Sequence, residues 1–328
     1  MSMIKVIVIV FIVFFILWFN IQYIINVQQW WQMKLQYGDT NKMRKKTAKI
    51  REWASISTGS VLAMTKYNYS MVVFEPNTDL ISRKIVNKGA WEPSLNAQLD
   101  AECPRPSVVV DLGANLGAFT MYALWRGHTV ISFEMQIRVF AMLSLSVHLN
   151  GWDDRWKGIN VVLGSSQRES VVTRMLRNNV GGTYTVLKPS VDDDEAVVTR
   201  PLTDFLNFNR VPVIDFLKVD VEGSEMRVLP EFDMWFDAKR IHRVTLECRQ
   251  NDSALITFMY ERDFECNQGL LHDGLDATTD DNVFWSHDEA LTFIRNVLSS
   301  AQGRQKRYAD VFCRLKVLST TTNYDESM

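Results

Sequence analysis

Apolar runs that each end in a polar residue and a turn alternate, through the middle of this chain, with segments of helical period. The pattern predicts strand 107–112, helix 117–126, strand 129–134, helix 137–150 and strand 159–163. It resumes with strand 213–219, helix 225–236, strand 241–247, helix 252–262 and strand 264–269, then a helix over 287–299 and a strand over 308–317. Strands alternating with helices in this way build an α/β fold, a doubly wound and mostly parallel sheet with helices on both faces. Between 169 and 200 the period changes to that of short antiparallel strands, 171–175, 183–187 and 196–200. Gly181-Gly182 and the acidic run 192–195 separate them, and the acidic run reads as a solvated turn. Ahead of the first core strand, residues 61–106 hold one alternating stretch, 67–74, and the punctuating Pro76, Pro93, Pro104 and Pro106. Such a segment is expected to form a flap over a ligand pocket.

The N-terminus follows another rule. Every residue from 6 to 19 is apolar or aromatic, and only Asn20 and Gln22 interrupt the run before Ile25. About 20 residues at helical rise span roughly 30 Å, the thickness of a bilayer core. A cleaved signal peptide would end at small residues, yet the first Gly is Gly38 and the first Ala is Ala48. Trp18, Tyr23, Trp30 and Trp31 suit an interfacial belt. The reading is an uncleaved transmembrane anchor over 1–25 in a single-pass membrane protein, with the lipid bilayer as a partner. A basic juxtamembrane stalk (26–60), the flap (61–106), the main domain (107–318) and a disordered tail (319–328) follow. The side of the membrane stays open. Lys34, Lys42, Arg44, Lys45, Lys46, Lys49 and Arg51 follow the span, which favours a cytosolic domain. The sequons Asn68-Tyr69-Ser70 and Asn251-Asp252-Ser253 would permit glycosylation in a lumenal one.

The richest chemistry sits at the end of the first core strand, Val108-Val109-Val110-Asp111-Leu112-Gly113-Ala114-Asn115-Leu116-Gly117. A strand, a Gly-x-Asn-x-Gly turn and a helix start present backbone N–H groups to a nucleotide. In the dinucleotide fingerprint a second Gly lets a pyrophosphate press against the backbone. Asn115 fills that approach here, and no Gly follows Gly117 in the helix. An adenosine ligand without a pyrophosphate fits better, S-adenosylmethionine (SAM) above all. Asp111 would take the ligand's ammonium and repel phosphates. The second strand ends in Glu134, roughly 20 positions beyond Gly113, where a carboxylate accepts both ribose hydroxyls. A surface Glu capping the next helix is the bland reading of the same residue.

The fourth core strand also ends in a dense polar cluster, Lys218-Val219-Asp220-Val221-Glu222-Gly223-Ser224-Glu225. Alternation sends Lys218, Asp220 and Glu222 to one face, at the strand ends where open α/β sheets bind ligands. The alternative is a helix N-cap with a structural Lys–Glu pair. Glu247, closing the next strand, adds a carboxylate to the same rim; a structural pairing to Arg249 or Lys218 is as good an account of it. Gly164-Ser165-Ser166, after the third strand, is expected beside the adenine, Ser165 included.

These motifs resemble the FkbM-type SAM-dependent methyltransferases. The resemblance is carried by residues 110–117, Phe133-Glu134, His148-Leu149-Asn150-Gly151, Val162-Leu163-Gly164-Ser165, residues 201–206 and residues 218–225, and it covers roughly residues 105–270. Two positions depart from it. Met135 stands where the family usually has Pro, and Asp204 lies one position beyond the usual Leu-Asp. The resemblance implies a Rossmann-like methyltransferase sheet and transfer of a methyl group to a hydroxyl on a sugar, glycolipid or other small metabolite. For a member with one short N-terminal anchor it also implies a single-pass endomembrane protein of the Golgi or ER with a lumenal domain, against the cytosolic side that the basic residues favour. Cofactor binding is expected at Asp111, Gly113, Asn115, Gly117, Glu134 and Ser165. Catalysis is expected at Asp220 and Glu222, the candidate bases, with Lys218 holding their charge or orienting the acceptor.

Composition trims the alternatives. A net charge of −2 over 328 residues argues for no nucleic-acid partner. The 5 histidines lack metal-ligand spacing, and no metal is expected. The 4 cysteines, Cys103, Cys248, Cys266 and Cys313, read as buried free thiols. Two competitors remain. One is a membrane-tethered interaction protein that keeps the fold without turnover, against which the intact set of polar motif residues speaks. The other is an NAD-type reductase, which would need the missing Gly and a Tyr-x-x-x-Lys pair after the fourth strand.

Overall fold

Residues 60–74, expected to hold one strand from 67 to 74, fold as a hairpin. The structure is a computed structural model that describes residues 59–176, 179–187, 197–249, 252–268, 284–299 and 308–316. Strands β1 (Ser60–Met64) and β2 (Ser70–Phe74) pair antiparallel around a turn in which Asn68 is left-handed, φ 66°. Thr65 closes that turn, its N–H and hydroxyl donating to the Tyr69 carbonyl at 2.9 and 3.0 Å. Two helices follow that were not among the expected elements. Helix α1 (Leu80–Lys88) starts at Asp79, whose carboxylate accepts from the Ser82 N–H at 2.8 Å, and stops at left-handed Gly89. Helix α2 (Pro93–Glu102) opens on Pro93, which needs no intrahelical donor there. Its polar sequence shows little helical stripe, so only the proline announced it.

The core then runs β3 (Val108–Leu112), α3 (Ala118–Trp125), β4 (Thr129–Glu134), α4 (Ile137–Leu149) and β5 (Trp156–Asn160). Strand β5 sits earlier than the expected 159–163. Gly158 lets it pack close, since a Cβ there would overlap the rings of Trp156 and Phe140. The apolar residues 161–163 are freed to line a cavity instead. Strands β6 (Ser170–Leu176), β7 (Asn179–Leu187) and β8 (Val197–Val198) form the expected antiparallel sheet, with Gly181 and Gly182 inside β7 rather than between strands.

Strand β9 (Phe216–Val219) returns to the core, and the single helix expected at 225–236 is broken into α5 (Glu225–Val228), a 3₁₀ turn (Leu229–Phe232) and α6 (Asp233–Asp237). Pro230 lacks the N–H that a continuous helix would use. The chain continues with β10 (Arg243–Arg249), α7 (Ser253–Tyr260), β11 (Phe264–Gln268), α8 (His287–Ser299) and β12 (Tyr308–Leu315).

The central sheet has 7 strands in the order β11-β12-β10-β9-β3-β4-β5. Pairings from β10 to β5 are parallel, and β12 lies antiparallel between β10 and β11. Both faces are covered. On one, Val110, Leu112, Leu217 and Val219 pack with Trp235, Phe236 and Phe258; on the other, Val109 and Phe216 pack with Phe119 and Leu143. This is the continuous hydrophobic strand expected of a sheet buried on both sides. From β3 the chain winds outward through β4 and β5, then crosses back to β9 on the other flank. That reversal opens a crevice at the carboxyl ends of β3 and β9.

The cysteines differ from expectation. Cys266 and Cys313 are joined in a disulfide between facing positions of β11 and β12, whereas Cys103 and Cys248 are free and buried. A count of four scattered thiols could not show that two of them would be brought opposite each other by strand register. The expected anchor (1–25), residues 26–58 of the stalk, the acidic run 192–195 and the tail (319–328) lie outside the described residues. Among the described residues, no helix is long and apolar enough to cross a membrane.

Candidate active site

The turn after β3 is shaped by three left-handed residues, Gly113 (φ 77°), Asn115 (φ 53°) and Gly117 (φ 84°). Gly113 and Ala114 both donate to the Phe133 carbonyl, at 3.0 and 2.9 Å, which ties the turn to the end of β4. A Cβ on Gly113 would overlap the carbonyl oxygen of Asp220, and one on Gly117 would overlap Leu143 of α4. Gly113 is therefore required by the close approach of two loops. Asn115 tolerates its φ as few side chains do, and its Oδ1 accepts from the Leu116 N–H at 2.7 Å.

Glu134 ends β4 within this turn. Its Oε2 accepts from the Asn115 N–H at 2.8 Å and its Oε1 from the Gln136 N–H at 2.7 Å. Burial raises its carboxyl to about 7, against the pull of those two N–H groups; Asp111 raises it further and Lys218 lowers it. The reading as a surface Glu capping the next helix does not hold, because Glu134 is buried and its Oε2 accepts from the Asn115 N–H of the neighbouring turn.

Asp111 has no exposed surface. Its Oδ2 accepts from the Thr120 hydroxyl at 2.6 Å, and its Oδ1 lies 3.5 Å from the Lys218 ammonium. The carboxylate expected to take a ligand's ammonium is thus engaged by the chain's own lysine, beneath the cavity and not on its wall. Lys218 reaches from β9 and also contacts Asp220 Oδ2 at 3.1 Å and the Gly113 carbonyl at 3.3 Å. Burial works against its charge, but Asp220, Asp111 and Glu92 outweigh it and hold the ammonium protonated well above the usual lysine range.

Strand β9 stops at Val219, so it is the turn beyond it, with Glu222 at φ 52° and Gly223 at φ 92°, that brings Glu222 onto the same wall. The Glu225 carboxylate braces this turn through the N–H groups of Val221 and Gly223, at 3.2 and 3.1 Å. Asp220, Glu222 and Glu247 each present a carboxylate oxygen within 4.8 Å of the others. That spacing would suit a cation.

Together these residues wall a cavity of about 1170 Å³ including its open mouth. Of the expected residues, Gly113, Asn115, Glu134, Lys218, Asp220 and Glu222 line it; Asp111, Gly117 and Ser165 do not. Val161, Val162 and Leu163 occupy the wall near which Ser165 was expected, because β5 ends early. Leu80, Ile81, Trp91 and Glu92 come from the flap, and Thr183 and Thr185 from β7. Sequence reasoning named none of these six, since nothing in their spacing ties them to the core motifs. Among the described lining residues Lys218 is the one cation, set against Glu92, Glu134, Asp220, Glu222 and Glu247.

The sequence matches the methyltransferase FkbM domain family over residues 111–296. No curated protein matches it. Among solved structures, similarity extends to a magnesium protoporphyrin IX methyltransferase from Synechocystis PCC 6803 with bound SAM, at 10% identity and TM-score 0.37, covering 68% of this chain and 77% of that one. A precorrin-6y C5,15-methyltransferase from Geobacter metallireducens has 10% identity and TM-score 0.37, covering 72% and 94%. The precorrin 8w decarboxylase of Methanobacterium thermoautotrophicum has 10% identity and TM-score 0.39, covering 74% and 95%.

Proposed function

Because the chain belongs to the FkbM methyltransferase family, we propose that it is a membrane-anchored, SAM-dependent O-methyltransferase. The acceptor in this reading is a hydroxyl on a sugar, glycolipid or small metabolite. The observation that carries the cofactor assignment is the charge of the cavity, one lysine among five carboxylates. SAM is a net cation, and such a wall attracts it and repels the pyrophosphate of a dinucleotide. The donor set fits as well. Glu134 offers a buried carboxylate to a diol, residues 161–163 offer an apolar wall to a flat ring, and Asn115 closes the approach a pyrophosphate needs.

When bound, SAM supplies an electrophilic methyl group. The chain's own task is to hold the acceptor hydroxyl in line and take its proton. Asp220 is the base in this reading. It follows β9 directly, its carboxylate is partly exposed to the cavity, and Lys218 fixes one of its oxygens at 3.1 Å. Glu222 and Glu247 present carboxylate oxygens within 4.8 Å of that of Asp220, on the rim where they can orient the acceptor's neighbouring hydroxyls. Lys218 positions Asp220 from below, anchored in turn by Asp111.

Calorimetric titration of the domain from residue 59 onward with SAM, and separately with NAD, tests the cofactor. Saturable SAM binding without NAD binding is expected, and the reverse would sink the reading. Asp220→Asn should keep SAM affinity while losing transfer by about 10²–10⁴-fold, the range of a general base. Wild-type turnover in that variant would remove Asp220 from the mechanism.

A further inference from the structure

Two features away from the cavity bear on which side of the membrane the domain occupies. The first is the disulfide. Cys266 and Cys313 face each other across the antiparallel pair β11–β12, and neither has exposed surface. Disulfides of this kind form and persist in oxidising compartments and are rare in the cytosol. The second is the hairpin turn. Asn68 heads the sequon Asn68-Tyr69-Ser70, is exposed, and stands at a left-handed turn position, φ 66°. Ser70, the third residue of the sequon, is held by Asn150, which accepts from its N–H at 3.1 Å and donates to its carbonyl at 2.8 Å. Asn68 therefore projects from a tip fixed on both sides, and it is not part of the cavity wall.

We infer that Asn68 is an N-glycosylation site and that the domain resides on the lumenal side of its membrane. The inference rests on the anchored reading of the N-terminus. The basic residues after the apolar run favour the opposite orientation, but that tendency biases insertion, whereas a disulfide in the sheet needs an oxidant the cytosol does not sustain. In that compartment each thiol gives up its proton and the pair gives two electrons to a disulfide-bearing oxidant, which leaves as a dithiol. At Asn68 the amide nitrogen bonds the anomeric carbon of a lipid-diphosphate-linked oligosaccharide. The carbon–oxygen bond to the diphosphate breaks, the amide loses one proton, and the lipid diphosphate departs.

The test uses the full chain in cultured animal cells, acid-quenched at harvest. Membranes are extracted with carbonate, digested with a peptide N-glycosidase, and tagged at their thiols under denaturing conditions before and after reduction. Asn68→Asp keeps a residue type that tolerates the left-handed turn, and Ser70→Ala removes the sequon without touching the asparagine. Each variant is expected to lack one glycan that the glycosidase removes from the wild type. Two thiols should tag before reduction and four after. An Asn68→Asp band identical to the wild type overturns the modification site. Four thiols tagged before reduction in carbonate-resistant protein place the domain in the cytosol and overturn the compartment. Four tagged thiols in a soluble protein show that the anchor reading itself failed.

Discussion

At the residue scale, the site is built from buried charges that constrain one another. Glu134 is the clearest for pH. Its carboxyl is raised by burial to about 7 from the usual 4.5, so the folded domain without ligand binds a proton more tightly than the unfolded chain across that window. Its contribution to stability therefore falls as pH rises from 4.5 towards 7. In the proposed reading Glu134 accepts the ribose hydroxyls, which donate best to its ionised form, so ligand binding runs the other way. SAM affinity measured by calorimetry should rise roughly ten-fold from pH 6 to pH 8, about one pKa unit or 1.4 kcal/mol, and Glu134→Gln should abolish the rise. An equal slope in the variant would detach Glu134 from the ligand. Lys218 gives a second test. Lys218→Met leaves Asp111 buried without its cation, at a cost of about 3–5 kcal/mol in denaturant unfolding. Asp111→Asn in the same chain should recover part of that loss, and no recovery would mean the pair is not coupled. Residue roles were only half legible in the sequence. The types and spacing of Asp111, Lys218 and Asp220 marked a site, but not that the lysine would reach across from β9 and occupy Asp111 itself. Such a contact is set by the neighbouring register of β3 and β9, where Asp111 lies opposite Lys218.

At the element scale, what could be read were the strands buried on both faces and the turns that close on backbone. β3, β4, α3 and α4 fall close to their expected bounds because their apolar residues have no alternative to the core. α1 was missed although Ile81 and Ile85 form a helical stripe behind the Asp79 cap, α2 was missed because its signal lies in Pro93 rather than in periodicity, and β5 was displaced because Gly158 packs under aromatic rings that sequence order does not foretell. Gly113 is the position where element and site meet. A side chain there meets the Asp220 carbonyl and also sits at a positive φ. Gly113→Val should thus separate the ends of β3 and β9, abolish SAM binding and lower the unfolding midpoint together. A variant that folds with wild-type stability yet fails to bind would mean that only the ligand surface, and not the loop contact, needs the glycine.

At the scale of the whole molecule, the sheet is an open one with a covalent tie at its far edge. β12 is the last described strand, yet it inserts between β10 and β11 rather than at an edge, so the antiparallel end of the sheet assembles only when a late segment reaches back. The disulfide between Cys266 and Cys313 closes a loop with a sequence separation of 47 residues. In the chain-entropy account a loop of that size restricts the unfolded ensemble by about 4 kcal/mol. Reduction of the domain, or the paired Cys266→Ala and Cys313→Ala variant, should lower urea stability by roughly that amount. The paired variant also removes two buried sulfurs, and the comparison with reduced wild type isolates the covalent term. SAM affinity should change little in either, because neither cysteine lines the cavity and the parallel half of the sheet carries the Gly113 and Asp220 loops. Unchanged stability on reduction would show that the register of β11 and β12 is held by packing alone. A large loss of SAM affinity would show instead that the antiparallel edge sets the geometry of the crevice, through Glu247, which shares β10 with the pairing to β12.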